Sequence, residues 1–505
     1  MKKYLSFIML MVCAGISAQG INDVLRYGQE GTQGTARYQA MAGAFGALGG
    51  DMSALNSNPA GSAVFNNSLM TLTGTYYHRD NEAAYFDRVS GTDLNTTDLN
   101  QFGGVFVFKN TDSDSGWKKV SLALNYDMAR NFDNQVYVSG NSSQGIDNYF
   151  SNFAQGVPLD VILPFEGEFL EEAYQAIGNT PTGFVDQQAF LGYHSGILVA
   201  DDEDDLNNTA YSSIADYGTV NQDYVRNTSG FNSKFVFNLG TQYGDNLYFG
   251  ASANFHSVLY EELTTLDERG FSTNSDIQFI NFDNLVRTEG WGFSYSLGAI
   301  LKLNENMRLG GSYQSKTWYK LRDDLSQRIN TDSPLVDPDI DFINLNLVTV
   351  FDEYTIEIPE KFTGSAAIIF GKDGLLSFDY TYQDMSQAEL LPNRDPDFAS
   401  ENAFISRTLR PVSTFRAGGE FRIDRLSLRA GYRLEQSPYE DPDLASDLTG
   451  YSGGLGYSFG NTRLDLAVTR TDQEVSEQLY STGLPTPARI DRINTNIVLG
   501  VTLNL

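Results

Sequence analysis

The sequence predicts an all-β fold, a transmembrane 14-stranded antiparallel β-barrel with an N-terminal hatch, or plug, segment. Three observations predict it. Apolar and polar residues alternate with a period of two from Leu69 onward, as they do in half-buried strands. Short and long connections between these stretches follow one another in strict alternation, which is typical of outer-membrane barrels. A glycine- and alanine-rich segment without a strand pattern precedes the first stretch.

The composition excludes several other classes of protein. A formal net charge of −30 is incompatible with a basic nucleic-acid-binding protein, so no nucleic-acid partner is expected. After the N-terminus, no apolar run approaches the roughly 18 residues that a membrane-spanning helix needs. A hydrophobic content of 41% argues against a disordered chain. The mean hydropathy of −0.30 is compatible with a barrel, because polar residues fill its lumen and loops.

Residues 1–18 are predicted to be a cleaved signal peptide. Lys2 and Lys3 form its positive region, residues 4–14 its apolar region, and residues 16–18 a cleavage site. The single cysteine of the sequence lies in this segment. The mature chain would therefore contain neither disulfides nor thiol ligands.

Residues 19–67 are predicted to form a hatch inside the barrel. Their clearest part is the small-residue run Gly43–Asp51. The later Asn58-Pro59-Ala60 element is a turn on any interpretation, because proline fixes its φ angle and asparagine favours turn starts. A compact segment of small residues is suited to plug a barrel that is too wide to be filled by side chains.

Residues 68–505 are predicted to form the barrel itself. The clearest strand places Phe235, Phe237 and Leu239 on one face and Asn238 on the other. An aromatic and apolar face that alternates with a small or polar face indicates lipid outside and a lumen inside. The last residues of the chain alternate in the same way and are suited to close the barrel.

The connections between the predicted strands fall into two groups by length. The short turns lie at about 110–117, 244–246, 304–306, 371–374, 423–425 and 460–462, and the long connections at about 79–100, 140–230, 267–286, 322–345, 386–411, 437–448 and 474–488. Together they join fourteen strands, with the short turns facing the periplasm. The external loop 140–230 contains the acidic run Asp201–Asp205. This run is either a divalent-cation site or, as we favour, a solvated loop.

Strand parity directs several cationic side chains into the predicted lumen. The candidates are Lys316, Arg416, Arg429 and Arg433. They are suited to receive a carboxylate head group, since arginine binds carboxylates in bidentate geometry. The alternative is a ladder of salt bridges that stiffens the wall, with Glu420, Asp379 and Asp465 as partners. A β-bulge would reverse any of these assignments.

The sequence contains no arrangement typical of an enzyme. Its three histidines, His78, His194 and His256, lack the spacing of metal ligands. The glycine-rich run is not followed by the lysine of a nucleotide-binding loop, and no nucleophile elbow is present. We therefore expect no catalytic residues, no metal and no cofactor.

Six fragments carry a resemblance to a known family. They are residues 43–61, Gly290–Phe293, Arg308–Lys316, Ile358–Glu360, Leu428–Arg433 and Gly454–Tyr457. In this order they resemble the FadL/TodX-like long-chain fatty-acid transporters of Gram-negative outer membranes. The resemblance implies a 14-stranded barrel with a hatch, located in the outer membrane of a Gram-negative cell. We expect a monomer that contacts outer-membrane lipid.

The resemblance also implies where a ligand would bind. In the hatch it points to Phe45, Asn58, Pro59 and Ala60. In the external loop it implies a hydrophobic groove, for which the candidates are Phe150, Phe153, Phe165, Phe169 and Leu170. The alternative is that these apolar side chains pack the loop over the barrel mouth. Residues 127–131 of the third strand are either an inward kink that opens a lateral gate or a plain bulge.

The expected function is therefore passive uptake of hydrophobic molecules, with long-chain fatty acids as the first candidate. One alternative is the uptake of another apolar ligand, such as an aromatic hydrocarbon or haem. The scarcity of histidine weakens the case for haem, which would need tyrosine ligands instead. The other alternative is a structural or adhesive surface barrel that uses the long acidic loop for contact.

Overall fold

The fold is a closed antiparallel β-barrel of 14 strands. The computed structural model describes residues 19–112, 115–336, 343–344 and 347–505. The predicted signal peptide, residues 1–18, lies outside the described residues. The last strand pairs with the first from Leu69↔Asn504 to Ala84↔Arg489, so the sheet has no free edge there. The predicted fold class is confirmed.

The strands are named here in chain order. They are β1 Leu69–Tyr85, β2 Arg88–Lys109, β3 Trp117–Asn131, β4 Asn134–Ser142, β5 Leu198–Ala200, β6 Tyr211–Ser213, β7 Val220–Tyr243, β8 Leu247–Arg269, β9 Phe279–Lys302, β10 Met307–Gln314, β11 Thr317–Thr331, β12 Ile343–Asn344, β13 Thr349–Val350, β14 Tyr354–Ile358, β15 Lys361–Phe370, β16 Gly374–Asp384, β17 Glu389–Leu391, β18 Pro411–Ile423, β19 Leu426–Glu435, β20 Leu448–Ser458, β21 Thr462–Glu477 and β22 Ala488–Asn504. Three barrel strands are interrupted, because β3 continues as β4, β10 as β11, and β14 as β15. The β5–β6 pair forms a separate ribbon. Among the described residues, the short strands β12 and β13 pair only with β11, and β17 pairs only with β14, so they are additions to the sheet and 14 barrel strands remain.

The helices are short and lie in three places. The hatch contains α1 Ile21–Gly28, α2 Ala36–Ala40 and two 3₁₀ helices, Met52–Asn56 and Pro59–Val64. The segment after β4 contains α3 Asp147–Ala154, α4 Leu159–Ile162, α5 Leu170–Gly178 and α6 Gly183–His194. The segment between β16 and β18 contains the 3₁₀ helix Met385–Gln387 and α7 Pro396–Thr408. Within the described residues, no helix has the length and apolar content needed to cross a membrane.

The two faces of the wall follow the predicted alternation. On β7 the side chains of Phe235, Phe237 and Leu239 are about half exposed on the outer face, whereas Val236 and Asn238 are buried inside. In a membrane the outer face meets lipid, and the inner face meets the hatch. The apolar surface of the barrel is therefore the surface that the bilayer covers.

Several predicted long connections are shorter than expected; strands extend into 267–286 and 322–345, and two other cases matter for the site. Residues 79–100 do not form a loop, because β1 and β2 remain paired up to Tyr85↔Arg88. The hairpin extends past the apolar belt with polar residues on its outer face, which hides its strand character in the sequence. The predicted loop 140–230 contains the outer ends of β4 and β7, so only residues 143–219 connect these two barrel strands. We call residues 143–219 the cap.

Candidate ligand-binding site

The hatch lies directly against the inner wall, and small wall residues make room for it. A Cβ atom on Gly250 would lie 2.2 Å from the carbonyl oxygen of Pro59, and one on Gly310 would lie 2.3 Å from that of Gly46. Both distances are shorter than a Cβ atom can approach an oxygen, so only glycine fits at these positions. The small residues on the lumen face of the wall thus allow the hatch backbone to approach the wall closely.

Asn58 ties the hatch to the wall. Its Oδ1 accepts a hydrogen bond from the backbone N–H of Ala60 at 3.0 Å, which caps the following 3₁₀ helix. Its Nδ2 donates to the carbonyl oxygens of Gly46 at 2.8 Å and Ala299 at 3.0 Å. The side chain of Asn58 is therefore occupied by structural bonds. Pro59, the next residue, lines the internal cavity described below.

Phe45 and Ala60 are fully buried between the hatch and the wall. The backbone N–H groups of Phe45 and Gly46 both donate to the carboxylate of Asp379 on β16, at 2.9 Å each. The ring of Phe45 packs against Tyr38, with 5.4 Å between the ring centroids. Of the four hatch residues predicted to bind ligand, only Pro59 lies at the cavity, and a ligand role for the other three stays a proposal.

An internal cavity of about 90 Å³ lies between the hatch and the wall. Its charged lining comprises the cations Lys234, Lys361, Arg416 and Arg433 and the carboxylates Glu30 and Glu435. Four cations against two carboxylates leave a formal excess of two positive charges. The volume is smaller than the roughly 150 Å³ of an apolar cavity that holds benzene. A longer ligand would therefore require the hatch to move.

The cations of this cavity come from different strands. Arg433 on β19 donates to Thr32 Oγ1 at 2.8 Å and forms an ion pair with Glu435. Arg416 on β18 donates to Thr381 Oγ1 at 3.2 Å. Within the described part of the chain, no carboxylate lies within ion-pair distance of Arg416. The structure therefore brings two of the four predicted cations, Arg416 and Arg433, to one cavity.

Arg429 belongs instead to a buried salt-bridge network. Its Nε lies 2.6 Å from Glu420 and its Nη1 lies 2.8 Å from Asp465. Arg37 of the hatch joins the same network, with its Nε 2.9 Å from Glu420. The side chains of Arg429 and Glu420 are both completely buried. For Arg429 the structure agrees with the alternative prediction of a salt-bridge ladder, and this residue is not free to bind a ligand.

The predicted inward position of Lys316 is wrong. Ser315 and Lys316 interrupt the strand between β10 and β11, and the interruption reverses the parity. Ser312 before it and Tyr319 after it both lie on the inner side, although they are an odd number of residues apart. The Nζ of Lys316 lies 2.8 Å from Glu357, and its side chain is 34% exposed. Lys316 therefore belongs to the outer face.

Two cavity cations were missed by the sequence prediction. Lys234 lies on β7 in parity with Val236, so the alternation of that strand would have placed it inside. Lys361 begins β15 directly after the interruption at residues 359–360, where parity from β14 fails. No sequence pattern identifies their hatch partner Glu30, because the pairing depends on how the hatch folds.

The third strand bulges inward beside this cavity. The register of β3 against β7 shifts between Met128 and Arg130. Met128 and Ala129 are consecutive and both buried, and both line the cavity. The carbonyl oxygen of Ala129 accepts a hydrogen bond from Gly31 of the hatch at 3.2 Å. The bulge therefore connects the wall to the hatch.

A seam without a backbone ladder lies above this bulge. The β2–β3 ladder ends at Gln101↔Asp127, and in the described residues no ladder joins the outer half of β2 to β4. Side chains bridge the seam, since Thr92 Oγ1 donates to the carbonyl oxygen of Gln135 at 2.9 Å. Opening a seam that is held by side-chain hydrogen bonds breaks fewer hydrogen bonds than opening a continuous backbone ladder.

The five predicted groove residues do not form one site. Phe150 and Phe153 are buried in the hydrophobic core of the cap. Phe150 also packs on Phe282 of β9, with ring centroids 5.0 Å apart, so this core extends into the barrel mouth. Phe165 and Phe169 instead project from the cap and are 78% and 71% exposed. The fifth residue, Leu170, is partly buried against the core.

Two titratable groups in the cap, His194 and Asp147, have shifted pKa values. Burial lowers the pKa of His194, whose Nε2 lies 2.8 Å from the carbonyl oxygen of Ile162. Burial raises the pKa of Asp147, and the hydrogen bond from the Tyr217 hydroxyl at 2.6 Å opposes this shift. The acidic run Asp201–Asp205 is exposed. In the residues that the structure covers, no group of three or more potential ligands is placed to hold a metal ion.

Phe150→Ala is expected to destabilise the cap by about 3–5 kcal/mol, because it removes a fully buried ring and leaves a cavity. Phe169→Ala is the matched control and should change the stability by less than about 0.5 kcal/mol, because that ring is exposed. Limited proteolysis of the cap in the folded barrel measures both effects. Equal protease sensitivity of the two variants would show that the cap core is wrongly assigned.

A plugged and closed barrel with a polar internal cavity defines an outer-membrane channel protein, and comparisons with known proteins extend this assignment. The family model of the outer membrane protein transport protein family (OMPP1/FadL/TodX) matches residues 235–483. The chain thus resembles the FadL/TodX-like transport proteins, which lie in the Gram-negative outer membrane. Among curated proteins, no relative matches.

Two solved structures share the fold. A Pseudomonas aeruginosa FadL homologue is 15% identical with a TM-score of 0.53, and the match covers 94% of this chain and 99% of that one. The P. putida toluene transporter TodX is 14% identical with a TM-score of 0.50, over 95% of this chain and 99% of its own. At these identities the likeness supports the fold and does not transfer individual ligand contacts.

Proposed function

We propose that this protein carries amphiphilic molecules with an anionic head group, long-chain fatty acids first among them, passively across the outer membrane. The observation that supports this proposal is the excess of cationic side chains around the hatch cavity. Arg416 has no ion-pair partner in the described residues and is suited to bind a carboxylate. Nothing in an apolar hydrocarbon would compensate these charges.

The proposed route starts at the cap and ends beside the hatch. The apolar core of the cap fills the barrel mouth, so an axial route from outside is closed in this conformation. The exposed rings of Phe165 and Phe169 offer an apolar surface for the first contact with a lipid. From the cavity the ligand would leave either through the seam between β2 and β4 or by displacement of the hatch.

Uptake of a neutral aromatic hydrocarbon is the second candidate function. The structural likeness to a protein described as a toluene transporter favours it. The charged lining of the cavity counts against it, because a neutral ligand would leave the cations without compensation.

Equilibrium binding of radiolabelled palmitate and of toluene to the detergent-solubilised protein distinguishes the two candidates. We expect palmitate to bind and the double variant Arg416→Met/Arg433→Met to weaken it by roughly 10–100-fold, the value of a lost charge-assisted hydrogen bond. Lys316→Met is the control, since it removes a cation from the outer face. The proposal would be refuted if the protein bound toluene but not palmitate. It would also be refuted if the wild type, the double variant and the Lys316→Met control bound palmitate with equal affinity.

A further inference from the structure

Four barrel cations converge on one short segment of the hatch, residues 25–32. Arg130 on β3 donates to the carbonyl oxygen of Arg26 at 3.2 Å and to that of Gln29 at 3.3 Å. Arg433 donates to the carbonyl oxygen of Glu30 at 3.1 Å. The last two cations, Lys234 and Lys361, contact the Glu30 side chain. Cations from the strands β3, β7, β15 and β19 thus converge on this part of the hatch.

Glu30 supplies the only carboxylate that these two lysines contact within the described chain. Its Oε2 lies 3.2 Å from Lys234 Nζ, and its Oε1 lies 3.4 Å from Lys361 Nζ. The side chain of Lys234 is only 3% exposed, so its charge depends on this partner for compensation. Two cations that bind the two oxygens of one carboxylate form a site for an anion, and the hatch occupies that site itself.

We propose that Glu30 is an internal stand-in for the ligand head group and acts as a latch on the hatch. An incoming carboxylate that first pairs with Arg416 in the same cavity would then replace Glu30 on Lys234 and Lys361 and free residues 29–32 from the wall. This inference rests on the proposed function and adds the residue that selects the ligand. Exchange of one carboxylate for another keeps the lysines compensated, whereas a neutral ligand in place of Glu30 would leave both unpaired, with the charge of Lys234 buried.

The latch is connected to the seam in the wall. The residue after Glu30 is Gly31. Its backbone N–H donates a hydrogen bond of 3.2 Å to the carbonyl oxygen of Ala129, which lies at the β3 bulge. Displacement of Glu30 therefore pulls on the bond that holds the bulged strand to the hatch. Binding of the ligand head group is thereby coupled to loosening of the wall beside the seam.

Glu30→Gln in the full-length protein tests the latch. The amide removes the internal competitor for the two lysines, so we expect palmitate to bind at least about tenfold more tightly than to the wild type. Binding of the neutral analogue hexadecanol should not rise. Glu305→Gln is the matched control, because Glu305 also pairs with a lysine, Lys302, but lies 91% exposed in a turn. Its affinity for palmitate should equal that of the wild type.

A second measurement does not depend on the stability of the Glu30 variant. After signal-peptide removal the chain has no cysteine, so Thr32→Cys provides a single labelling site next to the latch. We expect palmitate to accelerate maleimide labelling and hexadecanol to leave its rate unchanged. Two results would overturn the latch while the proposed function stands. One is a Glu30→Gln variant whose affinity for palmitate is equal to or lower than that of the wild type. The other is a labelling rate that palmitate does not increase. Absence of palmitate binding to the wild type would instead refute the proposed function.

Discussion

Gly310→Val is expected to displace the hatch and make the barrel permeable to large hydrophilic solutes. A Cβ atom at this position would lie 2.3 Å from the carbonyl oxygen of Gly46, and the added methyl groups would extend further into the hatch backbone. Overpacking of this kind costs about 1–3 kcal/mol. The hatch bears this cost, because continuous backbone ladders hold the wall on both sides of β10, whereas isolated hydrogen bonds and packing hold the hatch to the wall.

Single-channel conductance in planar bilayers measures this effect directly. Gly311→Val is the matched control, since the neighbouring glycine has no atom within 4 Å of its Cβ position. The control should remain closed, and the Gly310 variant should show long-lived open levels. The opposite outcome is that the Gly310 variant forms a folded barrel, as judged by heat-modifiable gel mobility, and yet stays closed. That result would contradict the assigned contact between hatch and wall.

Glu420→Gln is expected to destabilise the protein by about 3–5 kcal/mol, because it removes the buried carboxylate that the guanidinium groups of Arg37 and Arg429 share. Glu420 pairs with Arg37 of the hatch and with Arg422 and Arg429 of the wall. Asp465 continues to compensate Arg429, so the main loss falls on the hatch contact. The free energy of unfolding in urea, measured in lipid vesicles, gives the magnitude.

The control for this experiment is Glu289→Gln. Glu289 also pairs with an arginine, Arg322, but its side chain is 44% exposed on the outer surface. Exposed pairs contribute about 0–1 kcal/mol, so this change should have little effect. A loss of stability that is equal in the two variants would mean that the buried network does not hold the hatch to the wall.

The barrel is predictable from sequence because its constraint is local. Each strand must place apolar residues on the lipid face, so the alternation around Phe235 and Phe237 reports the fold without knowledge of distant contacts. The same rule failed at Lys316, where an interruption of two residues reverses the parity and leaves no mark in composition. It also failed on the β1–β2 hairpin, whose outer part rises above the lipid.

The candidate site was less predictable, because it depends on contacts between distant segments. Glu30 meets Lys361 across more than 300 positions of sequence, and no local pattern specifies that meeting. Helical spacing in the cap predicted apolar contacts but did not separate the buried Phe150 from the exposed Phe165. Which face of a short helix is covered depends on the barrel mouth beneath it. The ion pairs of Arg429 with Glu420 and Asp465 join three different strands, so the sequence alone could not choose between the two interpretations of this residue.

The most direct test of the central claim is the uptake of radiolabelled oleate by cells that express this protein in place of their own long-chain fatty-acid channel. We predict energy-independent uptake that exceeds that of the empty host, that saturates, and that toluene does not inhibit. The Arg416→Met/Arg433→Met variant should lose most of this uptake at equal surface expression. Uptake no greater than in the empty host, with a folded barrel present in the outer membrane, would contradict the account.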